Sequence, residues 1–384
     1  MASAIFGSLT FRLSTVAISF LISIGDVSGA NPVASGTESK ANTHSSSQGV
    51  KHSVNSELVS DLDTAALDKL RAEGTPRGRA PSGWPAFNWP EKRDVLFGFY
   101  GPSEQEKQFI VEAVPQSPIV KPEHKRKLLV FYRCQYPHAS IATANFAYQQ
   151  LAKATDAFDI MLTDDPALIR TSNLSQYDAL LLNNTTDFDV TVGADGRAAI
   201  LNFVRSGKGL IGIHAAADSC KGWRDGARLI NGIFSCHPWL PTGTWAFQLQ
   251  SPEHPINQAI EGKGFWLRDE VYAYRDGSHS PDQSRELVSL DLTKSENHDS
   301  PSLRESLRDR TNAKPHRPVA WIHRFGEGRV FYSNLGHNNT TYWHPMVLTH
   351  YLAGIQYALG DLHADDTATT ELAIVNTSPA PIDH

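Results

Sequence analysis

Lys208-Gly-Leu-Ile-Gly-Ile-His-Ala-Ala-Ala-Asp218 is the stretch that decides the fold of this chain. Its apolar centre, Leu210 to Ile213, predicts a short buried strand, bounded by glycines before it and by alanines after it. A strand that ends in one polar residue among small neighbours is typical of an elbow, a sharp turn that holds a reactive side chain clear of the sheet. Here that residue is His214. The alternative is an ordinary histidine that closes a strand without any chemistry.

The segments before this stretch alternate between strand and helix. Continuous apolar runs predict buried strands over 128–132, 158–162 and 177–182, and helical spacing predicts helices over 141–154 and 195–204. This alternation predicts an α/β domain with a doubly wound, mostly parallel sheet. In such sheets, ligands bind beyond the carboxyl ends of the strands.

The second half of the chain favours antiparallel strands. The predicted elements are strands over 244–249 and 286–290, a mixed aromatic and acidic segment over 264–274, a hairpin of 318–323 with 328–333, a polar surface loop over 293–316, and a closing helix over 345–359.

The amino terminus has the pattern of a secretory signal peptide. Arg12 precedes an apolar stretch from Leu13 to Ile24, and Ser28-Gly29-Ala30 supplies the small residues of a cleavage site. This pattern predicts a secreted or periplasmic protein, and an uncleaved anchor is the alternative. The predicted organisation is a signal peptide over 1–30, a flexible linker with a weak helix over 31–82, an extension over 83–125 with a short helix at 105–113, a main domain over 126–362, and a loose tail over 363–384.

Composition limits the partners that this chain binds. The 384 residues are 40% hydrophobic, enough for a sizeable core, and 35 basic against 41 acidic side chains give a net charge of −6. This balance argues against a nucleic acid or an anionic membrane surface as partner. There is no glycine-rich dinucleotide fingerprint and no phosphate loop, so a nucleotide is not indicated. The three cysteines cannot all pair with one another, and Cys220 with Cys236 is the candidate disulfide.

Three histidines follow predicted strands at the points where the strands end. They are His138, His214 and His337. Because the carboxyl ends of parallel strands meet at one edge of a sheet, we expect residues 134–140, 183–187 and 214–219 to surround one crevice. Asp269 and Glu270 lie on a nearby segment.

Two kinds of chemistry fit these side chains. Imidazole titrates near neutral pH, so histidine with a carboxylate forms a general acid and base. Alternatively, histidines and a carboxylate bind a divalent metal such as zinc and leave one position open. The metal ligands predicted for that case are His214, His237, Glu270 and His337. For His237 there is also a purely structural alternative, in which His237-Pro-Trp239 caps a loop and the indole packs inside.

Several segments, taken in order, resemble the ThuA-like (trehalose-utilisation) domain family over about residues 126–362. They are His138-Ala-Ser-Ile141, the Gly207 to Ala217 stretch, His237-Pro238, Asp269-Glu-Val-Tyr272, Pro318-Val-Ala-Trp-Ile322, Gly326-Glu-Gly-Arg-Val-Phe-Tyr332 and Leu335-Gly-His337. The resemblance implies a flavodoxin-like three-layer sandwich related to class I glutamine amidotransferases. In that superfamily a catalytic cysteine stands at the elbow that His214 occupies here, so glutaminase chemistry is not expected.

The resemblance also implies a small-molecule carbohydrate as partner. It suggests a hydrolase, lyase or isomerase acting on a disaccharide, or on a sugar or glycoside oxidised to its 3-keto form. A keto group at C3 acidifies the neighbouring C–H bond, so that a positioned imidazole removes the proton and the glycosidic oxygen leaves. The alternative is a carbohydrate-binding or scaffold module without catalysis.

If the protein is such an enzyme, each of the candidate site residues has a predicted role. His214 and His337 are the predicted acid/base or ligand pair, and Glu270 orients or activates one of them. The predicted substrate-contacting residues are His138, His237, Asp269, Tyr272 and Trp239.

Overall fold

The computed structural model describes residues 101–134, 138, 140–260, 264–298 and 317–371. The predicted signal peptide and linker therefore lie outside the described residues, as do the start of the extension, most of the 293–316 loop and the tail from 372. None of the helices in the described ranges is long and apolar enough to cross a bilayer.

The described elements follow the predicted order closely. In chain order they are α1 (Glu104–Ala113), β1 (Lys127–Phe131), α2 (Ser140–Thr155), β2 (Asp159–Thr163), α3 (Thr171–Leu174), β3 (Ala179–Asn183), α4 (Phe188–Arg205), β4 (Gly209–Ile213), α5 (Arg224–Ile230), β5 (Phe234–Trp239), β6 (Thr244–Leu249), β7 (Phe265–Arg268), β8 (Val271–Tyr274), β9 (Arg285–Leu290), β10 (Pro318–Phe325), β11 (Gly328–Ser333) and α6 (Pro345–Leu359).

Two predicted boundaries need correction. Helix α4 begins at Phe188, seven residues before the predicted start. Its first turns are separated from the rest of the helix by a break at Gly193, whose φ is 67°. Glycine adopts this left-handed conformation at little cost, so the chain changes direction there before the helix continues. The segment from Phe234 to Trp239, predicted as a turn region, is strand β5 and pairs with β8 in a separate two-stranded sheet.

The main sheet has nine strands in the order β2-β1-β3-β4-β11-β10-β9-β6-β7. The five strands from β2 to β11 pair in parallel, and the remaining pairings are antiparallel. The predicted α/β class with a flavodoxin-like, mostly parallel sheet is confirmed. Following the pairings across the sheet, β7 runs in the same direction as β1, β4 and β11. The carboxyl ends of these four strands therefore lie at one edge.

Both faces of the inner parallel strands β1, β3 and β4 are covered, which explains their apolar runs. In β1, Leu128 and Val130 enter one core with residues of α2 and α6. Leu129 and Phe131 point to the other face and pack with α4 and α5. Successive side chains of a strand alternate between faces, so a strand buried on both sides is apolar at every position. The result is a helix–sheet–helix sandwich.

The chain on either side of the sandwich is tied to it. Helix α1, predicted at 105–113, is confirmed and begins with a capping box in which Ser103 and Glu106 bond to each other's backbone N–H. The Gln356 side chain accepts from the Ile119 N–H at 2.7 Å and donates to the Val120 carbonyl at 2.7 Å. At the start of the predicted tail, the Thr369 N–H donates to the Ser284 carbonyl at 2.9 Å.

The described part of the chain, which includes all three cysteines, contains no disulfide bond. The candidate pairing of Cys220 with Cys236 is therefore absent. The Cys220 thiol is buried, and this burial raises its pKa above the ordinary value. The core and the hydrogen bonds of the sheet hold the domain together.

Three buried histidines make the domain sensitive to acid. Burial is the main cause that lowers the pKa of His254, His323 and His350 to about 4. Since an unfolded histidine titrates near about 6.5, the unfolded chain takes up these protons first as the pH falls. We expect the free energy of unfolding to decrease between pH 6.5 and 4, by on the order of 2 kcal/mol per histidine.

Urea unfolding at a series of pH values measures this effect. In His350→Asn, the slope of the unfolding free energy against pH should be shallower by the contribution of about one proton taken up on unfolding. His363 is mostly exposed, so His363→Asn should leave the slope unchanged. Equal slopes in all three proteins would contradict the assignment.

Candidate functional site

The elbow predicted at the end of β4 is present. His214 is buried and has a φ of 46°, in the left-handed region that residues other than glycine rarely adopt. Ala215 to Ala217 continue as a buried 3-10 turn, where larger side chains would not fit. The hydroxyl of Tyr332 donates to the His214 carbonyl at 2.8 Å and helps to hold the turn. A backbone held in this region costs about 1–3 kcal/mol, so the fold maintains His214 in a strained position.

Three imidazoles meet at this edge of the sheet. The ring centroids of His138 and His214 are 5.4 Å apart, those of His138 and His337 are 5.4 Å apart, and those of His214 and His337 are 5.3 Å apart. His138 lies on the connection after β1, His214 directly after β4, and His337 after β11. The expectation that these three histidines share one crevice therefore agrees with their positions. One nitrogen from each lies within 4.8 Å of the other two.

Glu270 lies against this cluster of three imidazoles. It follows the end of β7, and its Oε2 is 3.4 Å from His214 Nε2 and 3.9 Å from His337 Nε2. Its Oε1 is 3.6 Å from Nδ1 of His237, whose side chain is 52% exposed. Burial raises the pKa of Glu270, but His214, His337 and His237 outweigh this effect and lower the pKa to about 2. The carboxylate is therefore ionised at neutral pH.

Asp269 positions the loop that carries His337. Its carboxylate is fully buried and accepts from the Gly336 N–H at 2.7 Å, the Asn338 N–H at 2.9 Å and the Thr341 hydroxyl at 2.9 Å. Burial raises the pKa of Asp269, and His214 and these backbone donors offset only part of that effect. The prediction that Asp269 contacts substrate is corrected, because no surface of its side chain faces the crevice.

The tautomers of two imidazoles follow from their partners. His214 Nδ1 lies 2.7 Å from the Asn334 carbonyl, which only accepts, so Nδ1 carries the proton. Asn338 uses its amide nitrogen to donate to the carbonyls of Pro241 and Arg268, so its oxygen faces His337 Nδ1 at 3.3 Å. When neutral, both imidazoles therefore carry the lone pair on Nε2, the nitrogen nearer Glu270. Burial, and to a lesser extent His214, lower the pKa of His337, although Glu270 opposes this change.

The other predicted residues lie at different depths. The buried ring of Tyr272 packs against His214 with centroids 4.3 Å apart, and burial raises the pKa of its phenol. His138 is half-buried, with Nδ1 3.7 Å from Cys134 Sγ. Trp239 is fully buried and donates from Nε1 to the Asn297 carbonyl at 3.1 Å, so its predicted contact with substrate is corrected. The indole therefore packs inside, as the structural alternative for His237-Pro-Trp239 expected, although these residues belong to strand β5 and not to a loop.

Sequence reasoning did not assign roles to Asn334 and Asn338. Both lie in the segment that was singled out for His337, directly after a strand, yet only the histidine was given a function. Their value is visible only in space, because one orients His214 and the other orients His337. Sequence reasoning also gave no role to Lys221, which contacts Asp218 at 3.1 Å and Asp187 at 3.3 Å beside the elbow.

Comparison with known proteins identifies the family of this chain. The family model ThuA, described as trehalose utilisation, matches residues 127–358. The chain belongs to the ThuA family. The matched range spans β1 to α6 and includes every strand and every histidine of the site.

Solved structures of ThuA-like proteins are similar in fold to this ThuA-family chain. One from Bacteroides uniformis has 20% sequence identity and a TM-score of 0.46, covering 62% of this chain and 91% of its own. One from Parabacteroides merdae has 16% identity and a TM-score of 0.44, covering 62% of this chain and 92% of its own. No curated protein matches the chain significantly.

Proposed function

We propose that this ThuA-family protein acts on a disaccharide or on a glycoside in its 3-keto form, releasing the glycosidic oxygen by elimination. The observation that carries the proposal is the convergence of three imidazoles and the ionised Glu270 at the carboxyl ends of β1, β4, β7 and β11. A family described by trehalose utilisation supports a sugar as the substrate.

His237 is the group best placed to move a proton. It is the most exposed histidine of the site, with 52% of its side chain accessible, whereas His214 is fully buried. Glu270 lies within ion-pair distance of His237 Nδ1, so it stabilises the imidazolium that forms when the ring accepts a proton. This assignment moves the base from His214 and His337, where the sequence analysis placed it, to His237, which was predicted to contact substrate or, in the metal alternative, to bind the ion.

The reaction proceeds in two steps. His237 takes the proton from C2, which the C3 carbonyl acidifies, and the electron pair moves onto the carbonyl oxygen as an enolate. Positive charge beside that oxygen would stabilise it. The enolate then reforms the carbonyl, a C1–C2 double bond forms, and the C1–O bond breaks. The departing oxygen takes the proton back from His237, so the proton count balances.

Product analysis tests this proposal. The purified protein is incubated with trehalose and with 3-keto-trehalose, and the products are followed by mass spectrometry. We expect release of one glucose and an unsaturated 3-keto sugar from the keto substrate only. Calorimetry on the same sugars supplies the comparison: binding without any product would assign the crevice to a carbohydrate-binding module and remove the enzyme proposal.

A further inference from the structure

We propose that His138, His214 and His337 together bind one divalent transition-metal ion, with zinc as the favoured ion. This inference concerns the ion alone and holds whatever the substrate is. It revises the ligand set expected from the sequence, which included His237 and Glu270 and left out His138.

The first argument is an unsatisfied buried nitrogen. His214 is fully buried, and its Nε2 makes no hydrogen bond to any residue in the described ranges. A buried polar atom without a partner costs about 1–3 kcal/mol. This nitrogen faces Glu270 Oε2 at 3.4 Å, within ion-pair distance but without hydrogen-bonding geometry, so a cation between the two groups, a proton or a metal ion, would join them. A bound ion satisfies both groups.

The second argument is the outer ring of partners. A histidine that binds a metal through one nitrogen commonly donates its other N–H to a carbonyl or carboxylate, which fixes its tautomer and orientation. His214 does so to the Asn334 carbonyl, and His337 does so to the Asn338 side chain. Asn338 is in turn held by Asp269 through its backbone N–H. Two of the three imidazoles are therefore prepared to present Nε2 to a shared ion.

The third argument is distance. One nitrogen from each histidine lies within 4.8 Å of the others. Zinc–nitrogen bonds are about 2.0–2.1 Å long, so the three nitrogens need to approach a common centre by about 1 Å or less. His237 does not belong to this group, although it lies near Glu270. His337 and His237 therefore both lie beside the carboxylate of Glu270, but only His337 is a proposed metal ligand.

The chemistry of the donors indicates which ions fit. Imidazole nitrogen suits zinc, copper, iron and nickel, whereas magnesium and calcium take oxygen ligands. Three protein ligands with a further position left open characterise catalytic rather than structural zinc sites. A bound ion would supply positive charge at this edge of the sheet, with Glu270 3.4 Å from His214 Nε2 and 3.9 Å from His337 Nε2 as its neighbour.

Metal loading tests the inference directly. The protein is stripped with a chelator, dialysed, and titrated with Zn²⁺ by calorimetry, and elemental analysis gives the stoichiometry. In parallel, Co²⁺ is added and its visible absorption is recorded. We expect one ion per chain and the absorption pattern of four-coordinate cobalt. His337→Gln and His138→Gln should each weaken Zn²⁺ binding by more than about 100-fold, beyond the loss typical of an outer partner.

The matched control is His237→Gln, which removes a histidine beside the same carboxylate and should retain one ion with the affinity of the wild type. His214 is buried in a strained turn, so its substitution is judged only after circular dichroism shows a folded protein. Less than a tenth of an equivalent of zinc in the wild type overturns the site. Equal losses of Zn²⁺ affinity in His237→Gln and His337→Gln also overturn the site, because adventitious binding of zinc near Glu270 would then explain both results.

The same proteins separate this inference from the proposed function. Failure of the wild type to bind Zn²⁺ in the titration, together with turnover of the keto sugar, would remove the metal site and leave the elimination proposal standing. One bound ion with no turnover of any sugar would keep the site and remove the elimination proposal.

Discussion

Glu270→Gln is expected to lower the rate of product formation from 3-keto-trehalose by about 10²–10⁴-fold, the range that general acid–base groups contribute. The substitution keeps the shape of the side chain and removes its negative charge. Without that charge, the imidazolium of His237 loses its counter-ion at 3.6 Å, and the proton transfer loses its driving force. Steady-state kinetics should show the loss mainly in kcat, because the carboxylate is largely buried and leaves little surface for binding a substrate.

Glu104→Gln provides the matched control, since Glu104 is almost fully exposed on α1 and lies outside the site. It should retain the kinetics of the wild type. A Glu270→Gln protein with at least half of the wild-type rate would exclude the carboxylate from the chemistry, whatever the control shows.

Asp269→Ala is expected to destabilise the domain by about 3–5 kcal/mol, because each buried donor left without an acceptor costs about 1–3 kcal/mol. The carboxylate accepts from the Gly336 N–H, the Asn338 N–H and the Thr341 hydroxyl, and alanine leaves all three buried donors without an acceptor. Because Asp269 holds the loop that carries His337, turnover should fall as well.

Urea unfolding measures this loss against Asp225→Ala, in which a half-exposed aspartate is removed from α5. That control should change stability by less than about 0.5 kcal/mol. Similar unfolding midpoints for the two variants would show that Asp269 does not hold the loop.

The parallel half of the fold was predictable because its signals are local. Leu128 to Phe131 in β1, Ala179 to Leu182 in β3 and Leu210 to Ile213 in β4 are continuous runs without a polar side chain, and this pattern arises when a strand is buried on both faces. Pro345 and the apolar run after it predict α6 with the same bounds that the structure has. The kink at Gly193 was missed because the residues before it lack helical periodicity. Strand β5 was missed because proline and cysteine beside a histidine favour a turn.

The site was partly predictable for a similar reason. Parallel strands end at a common edge, so His138, His214 and His337 were correctly grouped from their positions after strands. The exposure of a side chain and the groups it bonds to depend on contacts between segments that are distant in sequence. No local sequence pattern indicates these contacts. The sequence therefore left Trp239 between a substrate contact and the core, and it did not reveal that Asp269 accepts hydrogen bonds from the loop carrying His337.

The site takes its residues from both the parallel and the antiparallel parts of the sheet, and this affects how cooperatively the two parts unfold. The imidazoles of the cluster come from loops of the parallel strands, whereas Asp269 and Glu270 come from the connection between β7 and β8 in the antiparallel part. By thermodynamic linkage, any ligand that requires both sets stabilises only states in which both parts are folded. Hydrogen–deuterium exchange should then show that a ligand in the crevice slows amide exchange in β4 and in β7 together, as one cooperative unit.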